Sequence, residues 1–198
     1  GFAHEWEAQG MVEALAPWLE AGKLKLYCPE SNVAEAWTKK ENDAAWRIHR
    51  HDLYEKWVVE TLVPHIRADC NSPAGSQAMS MMTAGASLGA FYSANMALKY
   101  PEIFRWALCM SGRYLMTHFT EGFSNLDVYL NNPLAYVQGL SGEPLDRVRR
   151  NTHVTLVCGQ GAFEEGYIEE TQVLGGLFES KGIPHVRDIW GYDVAHNW

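Results

Sequence analysis

Gly85-Ala86-Ser87-Leu88-Gly89 sets a serine midway between two glycines, and the chain on either side suggests why. A serine hydroxyl is a poor nucleophile until it is held exposed beside a base. A sharp strand-to-helix turn does the holding: it forces strained angles on the serine, and small neighbours let the chain segments pass closely. The mainly apolar run at 78–84 reads as a buried strand, and the Ala-rich run at 90–99 reads as a helix stopped near Pro101. Ser87 is thus the candidate nucleophile, at the carboxyl end of a strand, where open α/β sheets place their ligands. The backbone N–H of Leu88, opening the helix, would point at a developing oxyanion, aided by the helix dipole.

Such a serine needs a base, and the base needs an orienting acid. His196 follows the last expected strand, and of the eight histidines only it lies C-terminal to every strand. After the strand ending at Cys158, Gly159-Gln160-Gly161-Ala162-Phe163-Glu164-Glu165 supplies two adjacent acids, Glu164 and Glu165. Adjacent residues point to different sides, so one should face His196 and the other solvent. Asp193 is a rival acid, but it shares a loop with the base. His49 and His51 form an i, i+2 pair that faces different directions on a helix, which argues against a metal site there. His4, His65, His118, His153 and His185 lie outside the required loop and read as surface or satisfied structural residues. Glu169 and Glu170 read as the solvated first turn of a helix.

Alternating elements position these groups. Residues 11–19 carry helical spacing, stopped by Gly22; residues 24–28 read as a short strand closed by Pro29. A helical pattern runs from 43 to about 66, with Pro64 expected to end or bend it. Residues 71–75 form a turn-rich break. Further strands are expected at 104–110, 153–158 and 185–190, and a helix at 168–181 stopped by Gly182. Residues 113–150 show weak periodicity and read as a surface excursion. Strands alternating with helices of this length imply an α/β fold, a mostly parallel sheet with helices on both faces. The 198 residues suit one domain.

Composition narrows the function. With 47% hydrophobic and 20% charged residues the chain is globular rather than disordered. A formal charge of −8 argues against nucleic acid, which demands clustered Lys and Arg. No apolar run approaches the ~18–20 residues of a membrane-spanning helix. Cys28, Cys70, Cys109 and Cys158 are widely spaced with no C-x-x-C pair, and are expected to be reduced and largely buried. A cytoplasmic location is the expectation, and the oligomeric state is left open.

Taken together, Thr83 to Phe91, the following Ala-Leu-Lys-Tyr-Pro-Glu-Ile-Phe, and Met110-Ser111-Gly112 resemble the "putative esterase" family of α/β hydrolases. That family includes S-formylglutathione hydrolases, feruloyl esterases and mycolyltransferases. The likeness extends to residues 10–15, to Gly159-Gln160-Gly161-x-x-Glu164, and to residues 181–185 and 190–198, so it covers nearly the whole chain. The resemblance implies the chain order nucleophile, acid, base. It matches Ser87 to the family nucleophile, His196 to its base and Glu164, in preference to Glu165, to its acid. It also implies a second oxyanion donor at Phe2, in the loop entering the first helix. In such esterases further strands precede that helix, so the fold is expected to lack its N-terminal strands here, with truncation at both ends. About 40 additional residues at the start are expected, because a gap would leave inner strand edges unpaired.

The function expected is a serine hydrolase that cleaves carboxylic esters through an acyl-enzyme, acting on a small-molecule ester with no metal or organic cofactor. The segment at 113–150 would shape the pocket, with Tyr114 and Phe119 as candidate walls. Acyl transfer to another alcohol would use the same residues. A catalytically silent α/β-hydrolase fold serving as a binding module is the alternative from a different class.

Overall fold

Four short runs of five to seven residues pair edge to edge. In a computed structural model describing residues 2–71 and 79–197, β1 (Met81–Ala86), β2 (Phe104–Met110), β3 (His153–Cys158) and β4 (His185–Ile189) form one parallel sheet in the order β1-β2-β3-β4. Parallel strands require crossovers, and the chain between each pair carries helices. They are α5 (Leu88–Lys99), then α6 (Leu126–Leu130), α7 (Pro133–Gly139) and α8 (Gly142–Asn151), then α9 (Tyr167–Lys181). The N-terminal part adds α1 (Glu5–Ala8), α2 (Met11–Glu20), α3 (Ala44–Trp57) and α4 (Val63–Asp69).

Helix α5 packs on β1 and β2, and α9 on β3 and β4. Between them lies the main core, including Ala94, Ala97, Cys109, Leu156, Leu174 and Phe178, all fully buried. Helices on both faces are expected from the sequence. Among the described residues α5 and α9 cover the face bearing Thr83 and Arg187, and on the other Met82, Trp106 and Val186 are exposed.

Residues 24–28 are not a strand: they carry no regular secondary structure and have no sheet partner. The Leu-Lys-Leu alternation suits a strand, but a strand exists only through its neighbour, and among the described residues nothing pairs with the outer edge of β1. Pro64 does not end its helix. A π-helical stretch, Val58–Leu62, joins α3 to α4, and the helix runs on to Asp69. Pro64 has no N–H for the Glu60 carbonyl and its ring crowds that oxygen; the wider π turn relieves both.

Residues 113–150 fold as a 3₁₀ turn (Met116–Phe119) and helices α6–α8. They add Tyr114, Met116, Val128, Tyr136, Val137, Leu145 and Val148 to the core, so the segment is internal as well as superficial. Tyr114 is fully buried in the main core and so lines no open wall; Phe119 packs edge-on to Trp37. The turn expected at 71–75 lies, from Ser72 on, outside the described residues, as does Ala78.

A polar network links α3 to α5. The buried Glu55 carboxylate accepts from Asn95 Nδ2 (3.1 Å) and Tyr100 Oη (2.8 Å), and pairs with Lys99 Nζ (2.6 Å). His51, also buried, gives its Nδ1 to Trp37 Nε1 as acceptor (3.3 Å).

Candidate active site

Parallel register brings the ends of all four strands to one edge, and Ser87, Glu164 and His196 lie in the segments that follow β1, β3 and β4, whereas Phe2 lies ahead of α1. Ser87 follows β1 directly. Its φ of 56° and ψ of −122° are strained for a non-glycine residue, and its N–H donates to the Met110 carbonyl at the end of β2 (2.9 Å). The glycines explain how the turn closes. A Cβ on Gly85 would lie 2.4 Å from the carbonyl carbon and oxygen of Gly89, so strand end and helix start pass backbone to backbone. Ser87 is half-buried, and Leu88 is the first residue of α5.

Past β3 and β4 two loops are zipped together. Gly161 N–H donates to the Val194 carbonyl (2.7 Å), His196 N–H to the Ala162 carbonyl (2.9 Å), and Gln160 Nε2 to the Trp190 carbonyl (2.7 Å). A Cβ on Gly161 would meet the Val194 oxygen at 2.5 Å, so only glycine permits this contact. The zipper carries the His196 ring to Glu164, with Nδ1 3.3 Å from Oε2. Glu164 is 1% exposed, whereas Glu165 is exposed, so the adjacent acids do face apart. Asp193 is exposed, and the acid at His196 is Glu164. Phe2 is exposed, with its carbonyl accepting from Glu5 N–H and its ring stacked on His4.

Sequence reasoning missed the partners of the acid. Ser111, just past β2, also has positive φ (45°); its N–H donates to Val157 and its hydroxyl donates to Glu164 Oε1 at 2.5 Å. Cys158 Sγ lies 3.4 Å from Glu164 Oε2. Burial, then the nearby Glu164 charge, pushes the Cys158 thiol up to about 12. The buried acid thus faces three potential donors. The repeated break after an apolar strand, Met110-Ser111-Gly112, was the available signal for Ser111.

Glu170 corrects the expectation of a solvated first turn. Glu169 is exposed and its carboxylate accepts from Gly166 N–H, but Glu170 is 7% exposed. It pairs with Arg113 Nη1 (2.9 Å) and accepts from the Leu115 N–H (2.8 Å).

A family profile described as "Putative esterase" matches residues 27–175. The chain belongs to this esterase family. A solved ferulic acid esterase superposes on the esterase with a TM-score of 0.70 at 17% identity, over 98% of this chain and 73% of that one. MPT51 (FbpC1) of Mycobacterium tuberculosis gives a TM-score of 0.49 at 16% identity, over 73% of this chain and 61% of its own. No curated protein matches the esterase in sequence. The first superposition identifies the fold as that of an α/β hydrolase, and family membership supports ester hydrolysis as the general chemistry. No helix among the described residues is long and apolar enough to cross a membrane.

Proposed function

We propose that the esterase cleaves carboxylic esters of small molecules by a serine mechanism, with Ser87 as nucleophile, His196 as general base and acid, and Glu164 as the orienting carboxylate. With the imidazole proton on Nδ1 and donated to Glu164, the Nε2 lone pair is free to accept the Ser87 proton as Oγ bonds to the acyl carbon. The carbonyl oxygen becomes an oxyanion, for which the N–H groups of Leu88 and Phe2 are the assigned donors. Collapse breaks the acyl–oxygen bond, and the leaving alkoxide takes the proton from His196. Water then attacks the acyl-enzyme, giving its proton to His196 and its oxygen to the acid. The Ser87 oxygen recovers the proton, so one ester and one water yield one acid and one alcohol.

The observation carrying this reading is the contact between His196 and the buried Glu164, set at the same sheet edge as the strained turn at Ser87. Its 3.3 Å length is in keeping with catalytic hydrogen bonds that tighten once substrate binds. A fluorophosphonate probe and a panel of p-nitrophenyl esters of increasing chain length, with methyl ferulate added, test it. The wild-type chain should be labelled and active. Ser87→Ala should lose labelling and at least ~10³-fold in kcat. Labelling that survives in Ser87→Ala would overturn the assignment.

A further inference from the structure

Tyr167 opens α9, three residues after Glu164, and its N–H donates to the Glu164 carbonyl (3.0 Å). Its ring stacks on His196, with centroids 4.0 Å apart and planes at 28°. The Arg113 guanidinium carbon lies 4.5 Å from the centre of the same phenol ring. Arg113 is in turn fixed by the buried carboxylate of Glu170. The spacing 164, 167, 170 thus delivers an acid to the imidazole, a ring to its face and a carboxylate to the arginine behind that ring.

The arrangement is built into the backbone. Gly166 has φ of 84°, and a Cβ there would lie 2.2 Å from Arg113 Nη1, so a side chain at 166 would displace the guanidinium. Hydrogen bonding at Nδ1 constrains an imidazole in its plane but leaves it able to tilt about that bond. A ring pressed on its face opposes the tilt. A tyrosine held over its own face by a pinned guanidinium resists being pushed away, since cation–π attraction strengthens where water is excluded.

We propose that Tyr167 is a positioning residue for His196, braced by Arg113 and Glu170, so that Nε2 keeps its aim at the reacting atoms. This inference rests on the serine reading above and deepens it. The aromatic face does the work, and the phenol hydroxyl has no part in it.

Two readouts on the whole chain test it. In proton NMR, the His196 ring signals, assigned by their loss in His196→Gln, should lie upfield from the current of the stacked ring. They should stay there in Tyr167→Phe and return to ordinary positions in Tyr167→Leu. In ester kinetics, Tyr167→Phe should remain within about two-fold of wild type, and Tyr167→Leu should lose at least ~10-fold in kcat with KM little changed. Arg113→Met, which keeps Tyr167 but removes its brace, should lower kcat by a smaller factor in the same direction and covers the case in which Tyr167→Leu does not fold. Unmoved His196 signals or an unaltered kcat in the leucine variant would overturn the inference. Full activity in Ser87→Ala would instead overturn the serine reading, while the NMR signals would still decide whether the stack holds the ring.

Discussion

His196 Nδ1 and Glu164 Oε2 meet at 3.3 Å although they lie 32 positions apart in the chain, because the loops after β3 and β4 share backbone hydrogen bonds. The acid has almost no contact with water and the imidazole is partly open. A charge so placed acts through its neighbour and stabilises the cation that forms when the ring accepts a proton.

Replacing that charge tests the pair directly. Glu164→Gln keeps the shape but removes the charge and permits the wrong imidazole tautomer, so kcat on p-nitrophenyl acetate should fall by about 10²–10⁴. Glu165→Gln, at an exposed position, should leave kcat within about two-fold, as surface changes usually do. Equal losses in the two variants would contradict the assignment of the acid.

Ser111 is predicted to matter for both stability and rate. Its hydroxyl is one of the donors that satisfy the buried Glu164 carboxylate. In Ser111→Ala that oxygen loses a donor, which should cost about 1–3 kcal/mol in urea unfolding. It should also lower kcat several-fold as the carboxylate gains freedom, with KM nearly constant. An unchanged urea midpoint together with an unchanged kcat would show that the contact is incidental.

How much the sequence disclosed depends on the range of the interaction involved. The strands at 104–110 and 153–158 and the helix before Gly182 were legible because apolar periodicity and stop residues act locally. The turn at Ser87 was legible because two glycines and a serine at fixed spacing carry its whole geometry. Place after successive strands narrows the base to His196 and the acid to the pair Glu164 and Glu165, and the resemblance to the esterase family selects Glu164 from that pair. Residues 24–28 carry a strand pattern without a strand, since pairing is a property of two segments. Residues 113–150 hide four short helical pieces whose few turns give no readable period. Tyr167, Arg113 and Glu170 could not be found because their roles arise from contacts across 29 to 57 positions, and for Ser111 the sequence offers only the break after its strand, its partner Glu164 lying 53 positions away.

Gly85 should tolerate no side chain. A methyl group there would overlap the Gly89 carbonyl, which is backbone and cannot swing aside. Gly85→Ala should therefore destabilise the chain by about 2–4 kcal/mol in denaturant unfolding and abolish probe labelling of Ser87. A variant with wild-type stability would mean that the turn relaxes at little cost.

Burial sets the cysteines apart. Burial pushes the thiols of Cys109 and Cys158 up, that of Cys158 to about 12, and no disulfide links the described cysteines. At pH 8 neither should react with a disulfide reagent in the folded chain, since the thiolate is the reactive form. Both should react fully in guanidinium chloride. Mass spectrometry after alkylation with and without denaturant would locate the protected pair, and rapid native labelling of Cys158 would contradict the environment described for Glu164.

Acid should weaken the fold through Glu55. Burial alone would push this carboxyl up, but the nearby His51 ring, its Nε2 3.6 Å from Oε2, and the Lys99 ammonium outweigh it and hold the group below its ordinary 4.5. A depressed folded value means that the unfolded chain binds the proton more readily, so stability rises with pH across this window. The contribution is complete above about 4.5 and is lost as pH falls through the lower folded value. Glu55→Gln removes the linkage and takes from Lys99 its carboxylate, leaving it the Asn131 Oδ1 acceptor (3.0 Å), which should cost about 1–3 kcal/mol at pH 7 and less at pH 3. Urea unfolding of both chains at the two pH values gives the test, and a difference that stays constant with pH would remove Glu55 from the acid response.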